Sequence, residues 1–408
     1  MSQANPETAD PATISPSPAR RGIPIQALIG GVLAALVGFG SSFAIVVQGF
    51  GAVGATGAQA ASGLTIVCLA TGLVMLIVAL RTRLPIGIAW STPGSALMIA
   101  TGAVEGGYPA ALGAFVFAGA LILVAGFWRP LARVVGAIPP ALASAMLAGV
   151  LLKLCLAPFA ALSVDPGPVV AVIAVFLLVG RFARLYAVPA AVAVALVLLI
   201  AVEPLSAAAR VASFGPHFEW VMPRFTLGAI VGLGLPLFIV TMASQNIPGF
   251  AVLAAFGFRP AAGPLFRATG LASMLIAPFG GHTINLAAIT AALIAGPDAD
   301  PEPARRWIAA VSGGFAYLAL AALAPLAVAT VTTTPPVLIQ AVAGLALLGA
   351  FGSSLVAGLK EEADRPAALV AFLLTASGLS IAGIGSAFWG LAAGLAVLTL
   401  HGRLRRAR

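Results

Sequence analysis

Two stretches combine proline, glycine and hydroxyl residues inside otherwise apolar sequence. The first reads Pro85-Ile86-Gly87-Ile88-Ala89-Trp90-Ser91-Thr92-Pro93-Gly94-Ser95, the second Pro278-Phe279-Gly280-Gly281-His282-Thr283-Ile284-Asn285-Leu286. Thr92 followed by Pro93 is a helix-start signal, a capping hydroxyl and then proline at the first helical position. It predicts extended backbone over 85–90 and a half-helix from about 93 to about 103. Thr283 is the matching candidate cap, with a second half-helix running to about 295. Helix starts carry unpaired N–H groups and a partial positive charge. Two of them facing each other would hold an anion without a buried Lys or Arg, and a carboxylate suits such a site. Trp90, Ser91, Thr92, Gly94, Gly281, Thr283 and Asn285 are therefore candidate binding residues. The bland alternative stays open: Pro and Gly here only kink ordinary helices.

Other polar residues in apolar stretches are few. Ser41, Ser42 and Gln48 lie in one, with Ser41 and Gln48 seven apart on one helical face. Thr241, Gln245 and Asn246 lie in another. Single Ser or Thr residues in such helices commonly bond their own backbone. Amides cost more to bury, so Gln48, Gln245, Asn246 and Asn285 read as site or gate residues. His282 is the one titratable side chain placed at mid-depth, a candidate proton carrier or a neutral hydrogen-bonded ring. Phe39, Phe43, Phe50, Trp90, Phe279 and Phe351 could line an aromatic pocket.

The elements that must position these residues are membrane helices. Of 408 residues, 61% are apolar and 8% charged, against about a quarter charged in a soluble domain. That excludes a soluble enzyme, a disulfide scaffold and a disordered chain. The net charge of +9 does not imply nucleic acid, because the basic residues fall in pairs between apolar runs. Cys68 and Cys155 lie in separate apolar runs and suggest neither a disulfide nor a metal site.

A span needs about 20 apolar residues. Fourteen are read, at 25–48, 63–80, 85–103, 109–127, 140–157, 168–181, 185–203, 226–246, 263–278, 279–296, 306–328, 335–353, 366–380 and 382–401. Residues 1–21 read as a disordered cytoplasmic tail and 403–408 as a basic cytoplasmic tail. With both termini inside, eighteen of the 21 basic residues fall on the cytoplasmic side; Lys153, Arg210 and Arg224 remain. The connection 204–225 would be extracytoplasmic and separates two seven-span repeats, 22–203 and 226–402. An odd number of spans per half requires that any repeat be inverted. Both breaks then fall in the third element of their half, and both half-helix starts reach the membrane midplane.

At these residues the sequence resembles the benzoate:proton symporters, the BenE family. The likeness is carried by Ala89-Trp90-Ser91-Thr92-Pro93-Gly94, Leu142-Ala143-Ser144-Ala145-Met146-Leu147-Ala148-Gly149 and Leu235-Pro236-Leu237-Phe238 with Thr241-Met242-Ala243-Ser244-Gln245-Asn246. Further matches are Ala277-Pro278-Phe279-Gly280-Gly281, Asn285-Leu286-Ala287-Ala288-Ile289-Thr290, and Ala376-Ser377-Gly378-Leu379 with Ala387-Phe388-Trp389-Gly390. It covers nearly the whole chain after the tail.

The resemblance implies an all-α polytopic fold similar to the uracil-permease and sulfate-transporter group, seven plus seven spans inverted. The third and tenth elements would each pair a short strand with a half-helix. Spans 1–4 and 8–11 would form a core domain and spans 5–7 and 12–14 a gate. The substrate would lie between elements 3 and 10, flanked by spans 1 and 8. Related nucleobase carriers use acidic residues on spans 8 and 10; here the nearby positions are Gln245 and Asn285, which suits an anion. The expected activity is proton-coupled uptake of benzoate or a related aromatic carboxylate at a bacterial inner membrane. The expected partners are that solute, a proton and the bilayer, with no cofactor, metal or nucleic acid; a homodimer is among the assemblies allowed. Other readings are a carrier of a nucleobase or inorganic anion, and an anion channel. A membrane enzyme fits least.

Overall fold

The computed structural model describes residues 24–128, 139–202, 215–333, 336–381 and 384–406. The chain runs α1 (Ile25–Ala52), α2 (Gly57–Thr82), β1 (Ile88–Trp90), α3 (Thr92–Thr101), α4 (Gly107–Phe127), α5 (Pro140–Ala161), α6 (Pro166–Phe182) and α7 (Ala187–Val202). It continues α8 (Leu227–Ala255), α9 (Ala262–Ile276), β2 (Ile284–Leu286), α10 (Ala288–Ala295), α11 (Trp307–Ala321), α12 (Ala324–Thr333), α13 (Pro336–Leu359), α14 (Arg365–Ser377) and α15 (Ser386–Arg406).

Six helices among the described residues are long and apolar enough to cross a membrane: α1, α2, α4, α5, α8 and α13. A seventh crossing results if α11 and α12 are taken as one bent span, with 58° between them. Pro325 explains that bend. It supplies no N–H and its ring blocks the carbonyl four residues back, so α11 stops and α12 restarts in a new direction. The sequence alone predicts one span through 306–328. α6, α14 and the apolar part of α15 (Ser386–Leu400) are shorter.

The centre is a two-stranded antiparallel ribbon. Ile88 faces Leu286, Ala89 faces Asn285 and Trp90 faces Ile284. Two flanking bonds extend it, Ser91 N–H to Thr283 O and Ala287 N–H to Gly87 O, both 3.0 Å. An isolated pair of three-residue strands cannot hold itself together. The free edge of β2 is therefore satisfied by side chains. Ser273 Oγ on α9 accepts from Ile284 N–H, and Asn246 Oδ1 on α8 accepts from Leu286 N–H, each at 3.0 Å. Gly280 turns the chain into this ribbon with φ of +91°, a conformation that glycine adopts without strain.

Both breaks exist, but their caps differ from the sequence reading. α3 starts at Thr92, and the cap is Ser91, whose Oγ accepts from Gly94 N–H at 3.1 Å. Pro93 fits the second helical position as well as the first, so the signal was displaced by one residue. Thr283 caps nothing. Pairing with β1 keeps residues 284–286 extended, so α10 begins only at Ala288, with Ala287 before it and no capping side chain.

α8 is not a plain span over 226–246. It reaches Ala255 and widens twice into π turns, Ile230–Gly234 and Met242–Asn246. Each π turn ends one residue before the pair Leu235-Pro236 or Ile247-Pro248. Proline lacks the N–H for the regular ladder, and the local answer is an i→i+5 turn, a common device at functional sites. At the other end of the chain, α15 continues through Arg406, so the expected tail 403–408 is helical in its described part. The expected tail 1–21 lies outside the described residues.

Two groups of helices pack among themselves. α1, α2, α4, α8, α9 and α11 surround the ribbon; α5, α13, α14 and α15 pack together, with α6 and α7 alongside. Gly72 and Gly314 bring α2 and α11 into backbone contact, since a Cβ on either would meet the other's carbonyl at 2.7–3.0 Å. The segment from 215 to 226 is laid on α2 and α4. Glu219 exchanges bonds with Ser62, Gln59 Nε2 donates to Glu219 Oε1 at 3.0 Å, and Trp220 packs edge-on against Phe279.

Candidate functional site

Between the two helix groups lies a cavity of about 620 Å³, within the roughly 300–1,000 Å³ of small-molecule sites. Five expected residues line it: Ser41 and Ser42 on α1, Trp90, Thr92, and Gln245 in the second π turn. Both half-helix starts reach its wall, through Thr92 and Pro93 of α3 and through Ala287 to Thr290 leading into α10. The opposing wall comes from α5, the α6–α7 turn and α13, including Ser144, Leu147 and Leu347. Among the described residues the lining has one charged side chain, Arg184, and no carboxylate.

Trp90 is fixed on two sides. Its Nε1–H donates to Ser42 Oγ at 3.0 Å, and Ser42 in turn donates to Gly38 O at 2.7 Å. Its ring packs edge-on against Tyr317 at 5.6 Å and Phe39 at 6.1 Å. The Phe residues expected to line an aromatic pocket do not line this cavity. Phe43 stacks on Phe39, Phe50 lies against His282, and Phe279 lies under Trp220. The aromatic wall is Trp90 and Tyr317.

A second group of expected residues sits behind the cavity wall as a buried hydroxyl cluster. Thr241 Oγ1 donates to Ser91 Oγ at 3.1 Å and meets Thr283 Oγ1 at 3.0 Å. Gly94 belongs here through its N–H to Ser91. His282 Nδ1 lies 3.1 Å from the Thr283 carbonyl, which can only accept, so Nδ1 carries a proton. In the neutral ring Nε2 then accepts from Ser95 Oγ at 2.9 Å. Phe50 and Phe115 enclose the ring. His282 is fully buried and does not line the cavity.

The remaining expected residues are dispersed. Asn246 is spent on β2 and on Met242 Sδ at 3.2 Å. Asn285 is wholly buried in the ribbon, with Nδ2 donating to Leu286 O and Oδ1 unpaired. Gly281 packs against Ile276. Gln48 lies two turns beyond Ser41, its Nε2 buried without a partner. The sequence reading missed Tyr317, Thr290, Ser244 and Arg184 as wall residues. A signal existed for the first: Tyr317 is one of three tyrosines and stands inside an apolar run, away from the interfacial belts that tyrosine favours.

A ribbon linking two half-helices, beside a partly open cavity within a bundle of apolar helices, is the architecture of a multi-pass membrane protein. The chain belongs to the BenE family, described as benzoate membrane transport protein, whose model matches residues 22–400. It is 42% identical over 374 residues to the inner membrane protein YdcO of Escherichia coli strain K12, covering 91% of this chain and 95% of that one. It is 30% identical over 380 residues to the benzoate membrane transport protein of Acinetobacter baylyi, covering 91% and 94%. The fold is shared with the transmembrane domain of the cyanobacterial bicarbonate transporter BicA, at TM-score 0.57 and 14% identity over 92% of this chain and 96% of that one. It is also shared with SLC26A9, at TM-score 0.62 and 14% identity over 93% and 65%.

Proposed function

We propose that the chain is a secondary active transporter that takes up benzoate, or a close aromatic carboxylate, together with a proton. The observation that carries this is the cavity wall: two half-helix starts and, among the described residues, one arginine and no carboxylate. Helix N-termini favour anions, and Arg184 adds long-range attraction at the wall. The 30% identical relative from Acinetobacter baylyi bears the name benzoate membrane transport protein, which supports an aromatic carboxylate as the anion.

In this reading the chain crosses the bacterial inner membrane fourteen times as two inverted sets of seven, with both termini cytoplasmic. The helices around the ribbon form the moving core, and α5–α7 with α13–α15 form the gate. The cavity lies between these two groups, which supports an elevator-like motion that carries the ribbon and its ligand past the gate. A proton moving with a monoanion makes the step electroneutral and removes about 2.3 kcal/mol per charge per 100 mV. His282 is the proposed proton carrier. A proton added at Nε2 would turn that nitrogen into a donor to Ser95 Oγ, while the Ser95 hydroxyl turns to Ser91 O, 3.3 Å away.

Purified protein in liposomes tests this directly. Labelled benzoate should accumulate when the outside is acidified and saturate with concentration. Accumulation indifferent to the pH gradient contradicts the coupling, and a non-saturating ionic current contradicts a carrier.

A further inference from the structure

We propose that Tyr317 is a substrate-binding residue whose hydroxyl, together with the start of α10, forms the seat of the carboxylate. This rests on the carboxylate-carrier reading above and goes beyond it by choosing one half-helix over the other. The two starts are not equivalent. At α3, Ser91 Oγ takes Gly94 N–H, Ser95 N–H bonds Ser91 O at 2.9 Å, and Pro93 has no N–H. Only Thr92 N–H is left to a ligand. At α10, Ala287 has no capping side chain and the ladder opens with Ala291 N–H to Ala287 O at 2.8 Å. The N–H groups of Ala288, Ile289 and Thr290 therefore have no intrahelical acceptor, and all three residues line the cavity.

Tyr317 supplies the independent observation. It lines the same cavity, is fully buried, and its hydroxyl has no hydrogen-bond partner. The Thr290 side chain stands beside it, outside hydrogen-bond geometry. A buried hydroxyl left unpaired costs free energy, so natural structures rarely keep one without a use. Room for it is made on α1: a Cβ at Gly38 would lie 2.5 Å from the Tyr317 oxygen. A phenol has one proton to give, and a carboxylate accepts it in a short, strong bond. One carboxylate oxygen takes the Tyr317 proton and the other faces the open α10 N–H groups. The substrate ring extends toward Leu147, Val188 and Leu347 on the opposing wall.

The test compares detergent-purified wild type and Tyr317→Phe, titrated with benzoate and with neutral benzamide. The unliganded Tm is measured in parallel. Tyr317→Phe should weaken benzoate binding about ten- to a hundredfold and change benzamide binding less than about threefold. It should leave the unliganded Tm equal or raised, since the lost hydroxyl had no partner in the protein. Equal benzoate affinity in the two proteins would overturn the proposal, as would a matched loss for both ligands with a lowered Tm. Wild type that binds no benzoate would overturn the carrier reading itself, and the seat with it.

Discussion

Asn246 Oδ1 of α8 accepts the Leu286 N–H of β2 at 3.0 Å, doing what a third strand would do at that edge. The bond ties the helix that carries Gln245 to the strand that leads into α10. Asn246→Ala leaves the Leu286 N–H buried and unpaired, at a cost of about 1–3 kcal/mol. The expected outcome is a lowered Tm in detergent, with benzoate affinity of the folded fraction changed less than about threefold. A large affinity loss at unchanged Tm would instead make Asn246 a ligand.

The same residue shows what the sequence could and could not tell. The two breaks were legible because Pro, Gly and Thr constrain the backbone locally. Their strand partners were not, because pairing between residues 88–90 and 284–286 spans nearly two hundred positions, and no local signal reports it. That pairing is what delayed α10 to Ala288 and took Thr283 out of its expected role as a cap. Buried amides were legible as important but not as to purpose: Gln245 lines the cavity, whereas Asn246 holds the ribbon. Tyr317 went unread because a phenol in an apolar run passes for core packing until its unpaired hydroxyl is seen beside a cavity.

Trp90 depends on Ser42 for its orientation. Trp90→Phe keeps most of the wall but loses the 3.0 Å bond to Ser42 Oγ. The expected effect is a KM for benzoate raised about two- to tenfold, with Ser42→Ala giving a rise of similar size. Initial uptake rates in liposomes check both, and an unchanged KM in the pair would remove Trp90 from the substrate wall.

Gln245→Glu places a carboxylate in a wall that has none among the described residues. Two like charges about 4 Å apart repel by about 4 kcal/mol at an effective dielectric near 20. Benzoate binding relative to wild type should fall at least tenfold at pH 7. Because protonation removes the charge, the deficit should shrink as pH is lowered toward the ordinary Glu range near 4.3. Titrations of both proteins at matched pH values measure it; a deficit independent of pH would point to shape rather than charge.

His282→Gln retains a donor for the Thr283 carbonyl but cannot hold the transported proton. Accumulation driven by a pH gradient should be lost, while exchange of internal for external benzoate continues. Both are read in the same liposomes. Undiminished accumulation would leave His282 only its place between Ser95 and Thr283.

The most direct measurement is an experimental structure with 4-bromobenzoate bound, its bromine located by anomalous scattering. The expected result is a bromine near the α5 and α13 wall, with the carboxylate within hydrogen-bond reach of Tyr317 Oη and the Ala288–Thr290 N–H groups. A ligand lodged outside this cavity, or bound with its carboxylate turned away from both half-helix starts, would contradict it.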